Sequence, residues 1–97
     1  MSIKYSKNNV VEILSHEYKH FNHFKLEKMI VAMKEYNLIN LTNEQLANGS
    51  IVSFTNKDLK NLRKVYEIHE LLVETNSKKG INPSYRDAVK SIVQIEQ

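Results

Sequence analysis

Cysteine and tryptophan are absent from this chain of 97 residues, and it holds a single proline and only two glycines. Without cysteine there can be no disulfide, no thiolate-bound metal and no cysteine nucleophile, and a reducing cytoplasm is the natural setting. Gly49 and Gly80 stand far apart, so no glycine-rich phosphate loop can be built. No window approaches the roughly 18 apolar residues of a membrane span. Met1-Ser2-Ile3-Lys4-Tyr5-Ser6-Lys7 lacks the apolar run of a signal peptide, so a soluble intracellular protein is expected. Arginine is scarce as well: of 14 cationic residues only Arg63 and Arg86 carry a guanidinium, the group that best reads guanine edges. Internal repeats, low-complexity tracts and an obvious Ser-His-Asp set are also missing, and no enzyme is expected.

What is present is a 41% apolar content, enough for one compact domain spanning residues 1–97. Its core should be small, so pairing of two copies would add stability. The formal charge of +3 and pI near 9.1 suit contact with phosphates. Asn and Lys are frequent, a composition typical of an AT-rich genome.

The organising stretch runs from Leu38 to Val73. Leu38-Ile39-Asn40-Leu41 and Ser50-Ile51-Val52-Ser53-Phe54 read as two short strands joined by the turn-rich residues 42–49, a β-hairpin. Thr55-Asn56-Lys57-Asp58 then has the form of a capping box. In the long helix that follows, Leu59, Leu62, Val65, Tyr66, Ile68, His69, Leu72 and Val73 form one stripe. Lys57, Lys60, Asn61, Lys64, Glu67, Glu70 and Glu74 lie opposite. Upstream, Ser6 caps a short helix over roughly 7–16 with Val10, Val11, Ile13 and Leu14 on its buried face. Lys25 to Tyr36 forms a clearer helix with Leu26, Met29, Ile30 and Met33 inward, ended by Asn37. Downstream, Thr75 to Gly80 is a polar loop, and Asn82-Pro83-Ser84 opens a last helix whose apolar face is Tyr85, Ala88, Val89, Ile92 and Val93.

His16-Glu17-Tyr18-Lys19-His20 is a literal H-E-x-x-H, which on a helix sets two imidazoles on one face for zinc and a carboxylate beside them to activate water. His23 is a conceivable third ligand. Against this stand Lys19 between the ligands and the short run of chain ahead of the motif, too short for a flanking substrate-binding sheet. The competing reading has Tyr18, Phe21 and Phe24 anchored in the core with the histidines around them. No metal or cofactor is therefore expected. His69, on the apolar stripe, reads as a hydrogen-bonded core or interface histidine.

The order helix, helix, hairpin, long helix, short helix resembles a winged helix-turn-helix, and in particular the MerR-like DNA-binding domain. Tyr5 to Leu14 is similar to that family's opening, where a Tyr-Ser pair leads into the first helix. Tyr36-Asn37-Leu38-Ile39 resembles the end of its second helix, where Gly-Leu-Leu or Gly-Leu-Ile is usual. Asn48-Gly49 with Phe54-Thr55-Asn56-Lys57-Asp58-Leu59 resembles its wing and the helix beyond. Gly80-Ile81-Asn82-Pro83-Ser84 resembles the lead into its closing helix. The chain departs from the family where Val31, Ala32 and Met33 replace an Arg-aromatic-Tyr triplet, where Ser50 and Ile51 replace the wing arginine, and in the extra residues between Leu14 and Leu38.

The resemblance implies a transcriptional regulator or accessory factor that binds double-stranded DNA as a homodimer, of the kind phages and mobile elements carry. The helix 25–36 would enter the major groove and present Lys25, Lys28 and Lys34. Asn43, Gln45 and Asn48 at the wing tip would reach the backbone or minor groove, with Lys57, Lys60, Arg63 and Lys64 forming a basic rim. The alternative is a small helical protein that binds and inhibits another protein through Tyr18 to Phe24.

Overall fold

A computed structural model describes residues 4–39, 53–77, 80 and 82–96. Each helix begins where a short polar side chain can accept a free backbone N–H. Ser6 Oγ accepts from Asn9 N at 3.2 Å to open α1 (Lys7–Glu17). Asn22 Oδ1 accepts from Lys25 N at 3.0 Å to open α2 (His23–Glu35). Thr55 and Asp58 exchange bonds of 3.2 and 2.9 Å, the reciprocal capping box expected at the start of α3 (Asn56–Asn76). Ser84 and Asp87 make the same exchange, at 3.3 and 2.9 Å, ahead of α4 (Tyr85–Glu96). Pro83 thus lies just outside the last helix, not in its first turn.

α2 ends as Asn37 suggested, at φ 58°. Asn37 N–H donates to Lys34 O at 3.1 Å and Leu38 N–H to Met33 O at 2.8 Å, which satisfies two of the helix's last carbonyls. The left-handed residue costs little for Asn, whose short polar side chain tolerates that region.

The winged helix-turn-helix expectation is corrected at this point. Leu38 and Ile39 are not a strand but the bend that closes α2, and Ile39 is buried in the core. Ser53–Phe54 does form a strand, β2, yet its partner is Tyr5–Ser6, β1, in an antiparallel pair with Tyr5 opposite Phe54 and Ser6 opposite Ser53. No winged hairpin is found among the described residues, which are mostly helical with only this two-residue pairing. The expected turn 42–49 lies outside the described residues. A content of β-branched and apolar residues suggested strands, but Leu38 is held by the preceding helix's C-terminal turn and Ile39 by burial in the core, which outweigh a weak strand propensity.

One core gathers all four helices. α1 contributes Val10 and Leu14, α2 contributes Leu26, Met29, Ile30 and Met33, and α4 contributes Ala88, Val89 and Ile92. Phe54 from β2 is the largest fully buried side chain. In α3 full burial is confined to the first half, at Leu59, Asn61, Leu62, Val65 and Tyr66. Further along the expected stripe Ile68, His69 and Leu72 are half-buried, with Ile68 and Leu72 packed against the core, and Val73 at its end is 39% exposed, while Leu71, outside the stripe, is 60% exposed. Asn61, expected on the polar side, is buried. No described helix is long and apolar enough to cross a membrane.

Candidate nucleic-acid interface

α2 carries the residues on which the functional reading depends, and it begins two residues, about half a turn, earlier than the pattern 25–36 suggested. At 3.6 residues per turn, Lys25 and Lys28 lie about 60° apart and Lys34 about 180° from Lys25. The three lysines therefore do not share a face, contrary to expectation. Lys34 is half-buried in the last turn, where a cation complements the helix dipole. Lys25 is half-buried with Nζ 5.5 Å from the Tyr66 ring centroid, and exposed Lys28 holds its Nζ 4.4 Å above Phe24.

The outward strip of α2 is Phe24, Glu27, Lys28, Val31 and Glu35, all exposed. Phe24, expected in the core, is 64% exposed, and Val31 is 61% exposed. Both carboxylates on this strip are neutralised from other elements. Glu27 pairs with Lys7 of α1, which holds its carboxyl below the usual range through a hydrogen bond and direct charge attraction. Glu35 pairs with Arg86 of α4 at 2.7 Å. Hydrogen bonding to Tyr36 and the charge of Glu35 push the Arg86 guanidinium up further.

Between this strip and the start of α4 runs an open groove of about 690 Å³. Phe24, Lys28 and Val31 form one side, Pro83, Tyr85 and Arg86 the other. The second wall is held to α3 by His69, whose ring stacks on Tyr85 at 3.9 Å and whose Nε2 lies 3.1 Å from Pro83 O. A carbonyl can only accept, so Nε2 donates here, and the buried Nδ1 has no hydrogen-bond partner among the described residues. His69 is thus the hydrogen-bonded histidine that the sequence suggested. Burial pushes the Tyr85 hydroxyl up to about 12.

The other expected contacts divide. Lys57 and Lys60 are exposed on the first turns of α3, and Lys64 is half-buried. Arg63 is committed elsewhere: its Nε and Nη2 each donate at 2.8 Å to the two Glu17 oxygens, an arrangement that raises its affinity for its proton. Asn43, Gln45 and Asn48 lie outside the described residues.

The H-E-x-x-H segment does not form the helical site its pattern suggested. α1 stops at Glu17, and Tyr18 turns to φ −125°, ψ 112°, so the exposed His16 and His20 are not on one helical face. Glu17 is occupied by Arg63. The Tyr18 ring lies tilted against Tyr66 with centroids 4.4 Å apart and its hydroxyl donates to Glu67 at 2.9 Å, while Phe21 meets Tyr66 edge-on at 5.5 Å. Burial, then the Glu67 carboxylate, drives the Tyr18 pKa well above a normal phenol. Among the described residues no group of three or more His, Asp or Glu is placed to hold a metal ion, His23 included.

No protein-family model, no curated protein and no solved structure matches this chain.

Proposed function

We propose that this chain is a double-stranded DNA-binding protein of the cytoplasm, acting as a small regulator or accessory factor and contacting DNA through α2. The observation that carries the reading is the charge partition on that helix. Glu27 and Glu35 are each cancelled by a cation from another element, whereas Lys25 and Lys28 rest on aromatic rings and not on carboxylates. A ring holds an ammonium in place without neutralising it. The helix therefore presents net positive charge to a polyanion, with Lys57 and Lys60 as further exposed cations on α3. A second copy, paired through the apolar residues exposed late in α3, would double the phosphate contacts.

Fluorescence anisotropy on a short labelled duplex tests this. Each lysine–phosphate contact contributes about 0.9 to the slope of log affinity against log salt. Lys25→Ala with Lys28→Ala should lower that slope by about 2, and an unchanged slope would remove α2 from the interface. A second reading is favoured by the apolar groove beside Phe24 and Val31, which would suit a protein ligand. On that reading Phe24→Ala abolishes partner binding while the lysine changes leave it intact.

A further inference from the structure

The outward strip of α2 holds two large apolar side chains that no other part of the described protein covers. They do not make a continuous apolar stripe. Helix-in-groove recognition uses anchors at i, i+3 or i+4, and i+7, but between Phe24 and Val31 the intervening positions are the charged Glu27 and Lys28. Two isolated apolar groups remain, about 10.5 Å apart along the helix at 1.5 Å per residue. That spacing equals about three base-pair steps of 3.4 Å.

We infer that Phe24 and Val31 read the 5-methyl groups of two thymines about three steps apart in the major groove, so that α2 selects AT-rich duplex by apolar contact, not by guanine readout. The inference rests on the DNA-binding reading and names what that surface discriminates. Thymine is the only base to present a methyl in the major groove, and aromatic and aliphatic side chains are its natural partners. Lys28 holds its ammonium 4.4 Å from the centre of the Phe24 ring, which sets an uncancelled cation beside the apolar contact for a flanking phosphate. Glu27, cancelled by Lys7, does not repel the strand. Neither arginine is available for guanine on this surface: Arg63 is bound to Glu17 and Arg86 to Glu35.

The test compares an alternating dA-dT duplex with the same duplex carrying deoxyuridine for thymidine, which removes only the methyls, at one low salt concentration. Burying two methyls should make the thymidine duplex bind about tenfold more tightly. An alternating dG-dC duplex should gain affinity when its cytosines are 5-methylated. Phe24→Ala with Val31→Ala should bind the thymidine and deoxyuridine duplexes equally and melt at an unchanged temperature, since both residues are exposed. Equal affinity of the unaltered protein for the two duplexes, or a preference that survives the double change, overturns the inference and leaves DNA binding standing. Failure to retain any duplex overturns both and points to a protein ligand for the groove.

Discussion

Replacing Phe54 by Ala tests how the strand before α3 is seated. Phe54 is fully buried, sits opposite Tyr5 across the β1–β2 pair, and packs with α1 and α3. Removing a buried benzyl group from a well-packed core costs about 3–5 kcal/mol, through lost transfer energy and the cavity left behind. A chain of this length has a total stability of roughly 5–15 kcal/mol. Each kcal/mol moves the melting temperature of such a domain by about 4–8 °C. A fall on the order of 20 °C is therefore expected, read by circular dichroism at 222 nm. Thr55→Ala is the internal control: it removes one N-cap acceptor at the adjacent position, costs about 1 kcal/mol and should lower melting by only about 5 °C. Should Phe54→Ala fall by no more than its neighbour, the register is wrong. A one-residue slip of the pair would turn Phe54 to solvent.

Further outcomes follow from the surface and the phenols. Arg63→Ala and Glu17→Ala, combined in a double-mutant cycle, should give a coupling of about 0.5–1 kcal/mol that shrinks in high salt, because the pair is bidentate yet each side chain is 39% exposed. Additive effects would show that the pair contributes nothing. Tyr18, Tyr66 and Tyr85 all keep their protons more tightly when folded, chiefly because burial disfavours the phenolate. Their contribution is fully present below the ordinary phenol value of 10.0 and is lost as pH rises, through about 12 for Tyr85. Alkaline titration should accordingly find the native protein with less tyrosinate absorbance at 295 nm near pH 11 than the unfolded chain, and equal absorbance would refute the burial. At the acid end Lys7→Ala should remove the depression of the Glu27 carboxyl, and an unchanged carboxyl titration by NMR would count against that pairing.

Local chemistry was the legible part of this chain. The caps at Ser6 and Thr55, the stop at Asn37 and the inward stripe of α2 all rest on residue type at fixed offsets, and the backbone follows them. Legibility ended where distant segments compete. β2 pairs with β1, far back in the chain, and not with the nearer Leu38-Ile39, which no periodicity could reveal. Phe24 looked like core by hydrophobicity alone, but α2 includes it, and at 3.6 residues per turn it lies about 200° round from the inward Leu26. His16 to His20 matched a metal pattern that presumes a continuous helix, whereas the helix breaks at Tyr18, whose ring packs on Tyr66 of another helix. Arg63 looked like a free cation because its partner Glu17 lies on another helix.

The meeting of Tyr5 with Phe54 also bears on how the polypeptide is born. When α1 and α2 leave the ribosome, Phe54, Leu62 and Tyr66, against which they close, are still to be made. The inward faces of these two helices stay bare until the middle of α3 clears the exit tunnel, so a chain halted before that point exposes apolar surface prone to aggregate.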